Sequence, residues 1–152
     1  AALSGVTHAQ ATSDFNVKLD LASRCFVNID TTTATSQDTT DVTLSYDAFQ
    51  KDDEDGSTTF NVRCTKNLGY TISVASDTGT IAGITYYLKL VAGSTAQYAS
   101  ASGSAAITTG LAGTGADQPY TIGVRAAKGQ AGDCLTSSCT GGSQSHTITV
   151  AY

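Results

Sequence analysis

The chain has little positive charge and no long apolar run, and each absence removes a class of protein. Its eight basic residues are scattered singly against 13 acidic ones, which gives a net charge of −5 and a pI near 4.6. Scattered basic residues form no positively charged patch that could bind a phosphate backbone, so we expect no nucleic-acid partner. No apolar run approaches the length of about 20 residues that crosses a bilayer, so we expect no direct membrane insertion.

Residues for catalysis or metal binding are also scarce. His8 and His146 are the only two histidines, neither lies in a metal-spaced cluster, and no Gly-x-Ser-x-Gly elbow accompanies them. The acidic run at 52–55 does not fit an EF-hand, because the loop register would place Lys51 at the first ligand and Val62 at the bidentate one. We predict no enzyme activity, no cofactor and no metal site. The acidic run is interpreted as a solvated hairpin tip, with weak cation binding as the alternative.

The composition predicts an all-β domain. The 152 residues fit one core, and 40% hydrophobic with 14% charged residues is typical of a globular chain. Thr, Ser and Gly dominate the polar fraction, and no stretch sustains a helical period for three turns. Gly-rich stretches at 93–103 and 110–115 are predicted to be flexible loops, the second because it fails the dinucleotide-binding pattern. Strand-like runs separated by polar turns indicate a sandwich or small barrel, and they cover 15–21, 25–29, 42–46, 58–64, 70–75, 84–91, 120–125 and 147–152.

The first of these runs has one strongly apolar face. Phe15, Val17, Leu19 and Leu21 alternate with polar residues, and burying them would contribute roughly 1.5–3 kcal/mol each. Such a segment needs a partner, which is either the chain's own sheet or that of a neighbouring subunit. In the first alternative it is the first strand of a closed sandwich, although residues 22–24 lack the Gly or Asn that tight hairpins favour.

The last run suggests where a partner strand would fit. Ile148, Val150 and Tyr152 share one face, and the sequence then stops. We expect the free edge of this strand to be uncovered, as in an immunoglobulin-like sandwich that lacks its final strand and leaves an apolar groove. At the other terminus, residues 1–11 are small and weakly apolar and end in an Ala-Gln-Ala pattern. They fit either the remnant of a secretion signal or an ordered extension.

Four cysteines without zinc spacing are interpreted as two disulfides. A bridge from Cys25 to Cys64 would join two strands and close a loop of about 40 residues, worth roughly 4 kcal/mol through loop-closure entropy. Cys134 and Cys139 can close only a small loop, which constrains a turn and contributes less to global stability. Both bridges imply an oxidising compartment.

Taken in order, several motifs resemble the spore coat protein U family, which includes the major subunits of archaic chaperone-usher pili. The similarity runs from Phe15 to Tyr152. The family's usual Gly after the aromatic of the second motif is Asp47 here, and the Cys134 to Cys139 loop is additional. The motifs are FNVKLDL at 15–21 shortly before Cys25, LSYDAF at 44–49, NVRCT at 61–65, YTISV at 70–74 and TITVAY at 147–152.

The resemblance implies an incomplete immunoglobulin-like pilin that polymerises by donor-strand exchange. Residues 1–22 would form an extension with the donor strand, and residues 23–152 the pilin domain. The donor side chains would be Phe15, Val17, Leu19 and Leu21, and the acceptor edge would include Ile148, Val150 and Tyr152. A periplasmic chaperone and an outer-membrane usher are the implied partners, together with other copies of the chain.

The implied function is that of the shaft subunit of an adhesive surface pilus, secreted through the periplasm and supporting attachment and biofilm formation. Two alternatives share the fold. A secreted coat-type structural protein would not need an usher. A tip adhesin would usually carry an added receptor domain and no donor strand.

Overall fold

Two antiparallel sheets make up the protein in a computed structural model that describes Gly5 and residues 8–152. No helix in this part of the chain is long and apolar enough to cross a membrane. The eight strands found among the described residues are β1 (Cys25–Val27), β2 (Glu54–Cys64), β3 (Gly69–Val74), β4 (Thr78–Ile81), β5 (Ile84–Ala92), β6 (Ala106–Ala112), β7 (Gln118–Ala126) and β8 (Ile148–Ala151). The prediction of an all-β chain is confirmed.

The larger sheet has the order β1-β2-β7-β5-β4, and the smaller one has the order β6-β3-β8. The long strands β2 and β7 pair over their whole shared length, with Phe60 opposite Tyr120. The two sheets enclose one apolar core, an arrangement consistent with a β-sandwich. β1 lies at one edge of the larger sheet and β8 at one edge of the smaller sheet.

The core follows the period-two alternation of the strands. Along β2, Phe60, Val62 and Cys64 are buried while the residues between them are only half-buried. In the smaller sheet, Ile72 on β3 is also fully buried and contributes to the same core. Because alternate side chains point to one face of a strand, the same pattern that predicted these strands also selects their core residues.

Two buried tyrosines link the sheets through their hydroxyls. The Tyr70 and Tyr120 oxygens lie 2.6 Å apart, and the Tyr70 hydroxyl also lies 3.0 Å from the Gln118 side-chain oxygen. Burial, followed by the hydrogen bond with Tyr120, raises the pKa of Tyr70 well above its ordinary value. The neutral phenol is therefore the form that the fold stabilises.

Two predicted loops are more ordered than the sequence suggested. Residues 110–112, placed in a flexible loop, belong to β6, which pairs with β3. The stretch at 93–103 does lie outside the strands, but its first part covers the outer face of β7. There the Thr121 hydroxyl donates to the Gly93 carbonyl oxygen at 2.7 Å, and Arg125 lies 5.1 Å from the centre of the Tyr98 ring. The prediction that these stretches are free loops is wrong where they meet a sheet.

The acidic run is not a hairpin tip, because its second half opens β2. Asp55 lies opposite Arg125 of β7, and Arg125 donates to both of its carboxylate oxygens at 2.7 and 2.9 Å. Asp53 lies 3.7 Å from the same guanidinium. The hydrogen bond with Asp55 raises the pKa of Arg125. The run therefore starts a strand and neutralises a cation of the neighbouring strand.

Both expected disulfides are present. Cys25 and Cys64 lie directly opposite each other on β1 and β2, with their Cα atoms 4.1 Å apart, and Cys134 pairs with Cys139 in the segment between β7 and β8. The long bridge fastens the edge strand β1 to its neighbour β2. The short bridge closes a small exposed loop whose tip residue, Leu135, is completely exposed.

Candidate functional site

The apolar segment near the N-terminus lies outside both sheets. Residues 8–24 form no strand, and every one of them is exposed. Phe15, Val17, Leu19 and Leu21 are 86%, 84%, 82% and 74% exposed. The alternative in which this segment closes its own sandwich is not the arrangement of the chain in this structure.

Four large apolar side chains along one short segment are an unusual surface for an isolated domain. Contiguous exposed apolar surface marks a site of interaction, whereas single exposed apolar residues need no explanation. We call residues 14–22 the donor segment, after the role that the sequence resemblance implies for them. Its apolar and polar side chains alternate as they do in a β-strand, but its backbone is not paired with any strand of either sheet.

The strand β8 offers one free backbone edge. It pairs with β3 on one side only, with Val150 opposite Ile72. Ile148 and Val150 are half-buried against the core, and Tyr152 lies beyond the end of the strand and is 59% exposed. Since β8 is the last strand of its sheet, its outer N–H and C=O groups can accept another strand.

A second free edge lies at residues 41–46, which we call the open segment. Val42, Leu44 and Tyr46 are half-buried and pack on the core, while the residues between them are exposed. Among the described residues, no backbone group of the open segment makes a hydrogen bond. The sequence predicted a strand at 42–46, and the alternation is indeed there. The open segment is not part of a sheet, because no described segment pairs with its backbone.

Specific contacts hold the open segment over β2. A methyl group added at Gly56 would lie 2.8 Å from a Val42 methyl carbon and 2.9 Å from a Leu44 methyl carbon, so only glycine lets the segment approach this closely. At one end, the Thr58 hydroxyl donates to the Thr40 carbonyl oxygen at 2.8 Å. At the other, the Tyr46 hydroxyl donates to the Ala127 carbonyl oxygen at 2.6 Å.

β8 and the open segment run in opposite directions along the sandwich. β8 starts opposite Val74 and ends opposite Thr71, whereas the open segment starts near Thr58 and ends at the Tyr46 contact with Ala127, just beyond β7. Both edges present apolar side chains to the same core. A strand added beside them would therefore be antiparallel to one and parallel to the other.

The two histidines are not brought together. His8 is exposed in the N-terminal part, and His146 lies just before β8. The His146 ring has its Nε2 atom 2.7 Å from the Tyr86 hydroxyl and its Nδ1 atom 3.1 Å from the Ala75 carbonyl oxygen. Burial raises the pKa of Tyr86. Both ring nitrogens of His146 thus contact structural partners that tie the chain before β8 to the body of the sandwich.

Two cavities formed by the described residues are not lined by the donor segment. One of about 230 Å³ is lined by Arg24, Phe26 and Arg63 beside the long disulfide. Another of about 420 Å³ lies between Asp47 and the loop closed by the short disulfide. Within the described residues, no group of three or more His, Cys, Asp or Glu side chains has an arrangement that could hold a metal ion.

No protein-family model, curated protein or solved structure matches this chain. The open segment is the feature that sequence reasoning identified only in part. Its alternating Val42, Leu44 and Tyr46 indicated a strand, but nothing in the sequence indicates that the strand lacks a hydrogen-bonded neighbour. That property depends on which segments reach its edge in the folded chain.

Proposed function

We propose that the protein is the major shaft subunit of a chaperone-usher pilus and polymerises by donor-strand exchange. The observation that carries this proposal is the exposure of Phe15, Val17, Leu19 and Leu21, at 74–86% in a domain that has free strand edges elsewhere. The alternation of the donor segment fits insertion into a sheet. In this interpretation the immunoglobulin-like domain is incomplete until another subunit supplies the strand.

The two free edges support the acceptor half of the proposal. A strand laid beside β8 would satisfy backbone groups that are otherwise left to water, and it would bury the half-exposed faces of Ile148 and Val150. The open segment packs on the same core, and its backbone also lacks partners among the described residues. Main-chain hydrogen bonds would supply affinity, and the alternate side chains of the donor segment would supply specificity.

Polymerisation follows from the separation of donor and acceptor on one chain. The donor segment lies outside the sandwich, and the acceptor edges belong to the sandwich itself. A contact between two different surfaces is heterologous and does not close on itself in a dimer, so repeated exchange builds a filament. Burying the four donor side chains would stabilise each junction by roughly 6–12 kcal/mol before entropic costs are subtracted.

The route of assembly follows from the same features. A subunit with an exposed apolar segment and open edges needs protection before it polymerises. A periplasmic chaperone would provide this protection. An outer-membrane usher would then exchange the chaperone for the donor segment of the next subunit. The two disulfides fit an oxidising compartment. The product would be a cell-surface pilus that supports attachment and biofilm formation.

A secreted coat-type structural protein of the same fold is the second candidate. The exposed donor segment is shared by both, so it does not separate them. Dependence on an usher does, because only the pilus subunit needs one to form filaments at the cell surface. A tip adhesin is less favoured, since a terminal subunit has no use for the exposed side chains of the donor segment.

Truncation tests the proposal directly. We expect electron microscopy of the secreted full-length chain to show filaments, and we expect the same of a matched control lacking residues 1–11. A chain lacking residues 1–22 should give none, because it has no donor segment. Filaments formed by the chain without residues 1–22 would contradict the proposal. Filaments that form without an usher would favour the coat-type alternative.

A further inference from the structure

The short connection between donor segment and sandwich constrains how two subunits can meet. Only Ala22, Ser23 and Arg24 separate Leu21 from Cys25, the first residue of β1. A fully extended chain advances about 3.5 Å per residue, so Leu21 and Cys25 lie at most about 14 Å apart. If Leu21 is inserted in an acceptor, the start of β1 in the donor subunit must lie close to the acceptor's surface. The two sandwiches therefore touch end to end.

The end of the sandwich that carries the start of β1 is positively charged. Arg24 is fixed there, since its backbone N–H donates to the Thr65 hydroxyl at 2.9 Å and its carbonyl oxygen accepts from the Thr65 N–H. Lys66 follows in the exposed turn before β3. Neither side chain forms an ion pair among the described residues, whereas the nearby Arg63 is paired with Asp117 at 2.9 Å. We call Arg24 and Lys66 the basic end.

The opposite end of the sandwich is negatively charged. Asp47 follows the open segment in a turn, where its N–H is held by the Gln50 side-chain oxygen at 2.9 Å. Asp133 is held to the β4–β5 turn through its N–H, which donates to the Ala82 carbonyl oxygen at 2.7 Å. Both aspartates are exposed and form no ion pair within the described residues. The acidic run at 52–55 lies at this end too, partly offset by Lys51, Arg125 and Lys128. We call Asp47 and Asp133 the acidic end.

The direction of the inserted strand decides which end meets which. β8 runs from the acidic end towards the basic end. A donor strand antiparallel to β8 would leave the groove at the acidic end, whereas a parallel one would leave it at the basic end. The parallel arrangement would bring Arg24 of the donor subunit against Lys66 and Arg24 of the acceptor, and like charges repel.

We infer that the basic end of each donor subunit, Arg24 and Lys66, docks on the acidic end of its acceptor, Asp47 and Asp133. This inference rests on the proposed function, and it adds a polarity and a second contact to each junction. Exposed ion pairs contribute little to affinity, but opposite charges on approaching surfaces speed encounter and fix orientation. The docking charges therefore act on the rate of assembly and on its direction.

Crosslinking tests the polarity. Ser23 and Ala48 are both exposed and lie at opposite ends of one sandwich, so a bond between them can form only between copies. The native cysteines are already paired. We expect the double variant Ser23→Cys and Ala48→Cys to give a ladder of covalent oligomers in oxidised filaments, which a reductant removes. A ladder from the control pair Ser23→Cys and Ala116→Cys, with none from the first pair, would overturn the inference, because Ala116 lies at the basic end.

Charge reversal tests the contact itself. We expect Arg24→Glu with Lys66→Glu to slow filament growth about tenfold at low salt and far less at 1 M salt. Asp47→Lys with Asp133→Lys should do the same, and a mixture of both reversed subunits should co-assemble faster than either alone. A synthetic peptide of residues 14–22 carries no sandwich, so its binding should be unchanged in every variant. Equal growth rates for all forms would overturn the inference, whereas failure of the peptide to bind native subunits would overturn the proposed function instead.

Discussion

A single charged residue in the donor segment should stop assembly without harming the subunit. We consider Leu19→Asp, at the third of the four alternating apolar positions. Leu19 is 82% exposed in the subunit, so its replacement removes almost no contact from the sandwich. The subunit should therefore fold as before, and the whole effect should appear when the segment is inserted into a neighbour.

The magnitude follows from the change in burial. Insertion of the native Leu19 side chain would contribute roughly 1.5–3 kcal/mol. Inserting an aspartate forfeits this contribution, and it also buries an unpaired charge at a cost of about 3–5 kcal/mol. A total of about 4.5–8 kcal/mol corresponds to more than a thousandfold in the equilibrium of exchange, since about 1.4 kcal/mol is tenfold. Filaments should not form at ordinary concentrations.

The assay combines filament yield with subunit stability. Sedimentation and electron microscopy would measure assembly, and thermal unfolding of the chaperone-bound or isolated subunit would measure folding. Lys18→Ala is the matched control, because Lys18 lies on the opposite face of the same segment and should leave the yield nearly unchanged. If Leu19→Asp instead lowers the unfolding temperature of the subunit, or assembles normally, the reasoning is refuted.

Three further predictions concern stability. Replacing Cys25 and Cys64 by Ala should destabilise the subunit by roughly 2–5 kcal/mol in denaturant titrations. The same change at Cys134 and Cys139 should destabilise it less, and equal losses would contradict this ranking. Filaments should survive urea concentrations that unfold ordinary domains, and ready dissociation in mild urea would count against deep strand insertion. Because the raised pKa of Tyr70 favours its neutral form in the fold, the contribution of Tyr70 to stability should be fully present below about pH 10 and be lost as the pH rises above it. Tyr70→Phe should flatten that alkaline loss, and an unchanged pH profile would contradict it.

Much of the sandwich was predictable because its long strands alternate clearly. Phe60, Val62 and Cys64 recur at every second position and are all buried in β2. The pairing of Cys25 with Cys64 was predictable from the placement of each cysteine on a strand, and the two residues are register partners. Here the local pattern and the tertiary fold agree, which is why sequence reasoning succeeds.

Two strands escaped prediction because their sequences carry little apolar signal. β6 contains Ala, Thr and Gly between its half-buried Ile107 and Leu111, and β4 has the sequence TGTI. Their backbones are ordered by pairing with β3 and β5, whose own side chains supply the burial. Strand formation at such positions depends on tertiary contacts more than on local propensity. The same reason explains the error at the acidic run, where Arg125 on a distant strand orders Asp55.

The candidate site was predictable at the donor segment and at β8, but not at the open segment. The exposed side chains of the donor segment follow from a visible alternation, and β8 was identified as a strand with an apolar face. The lack of backbone partners at residues 41–46 is a property of the folded arrangement. It depends on how far β1, β2 and β8 extend and on what lies between them, and no short-range pattern in the sequence records this.

Amide hydrogen exchange with a donor peptide tests the central claim most directly. The full-length chain carrying Leu19→Asp, which cannot use its own segment, would be mixed with a synthetic peptide of residues 14–22. The account predicts that the amides of residues 41–46, and those amides of residues 148–151 that face away from β3, become strongly protected. A peptide with Leu19→Asp should change nothing. If the native peptide leaves both edges as exchangeable as before, strand complementation at these edges is contradicted.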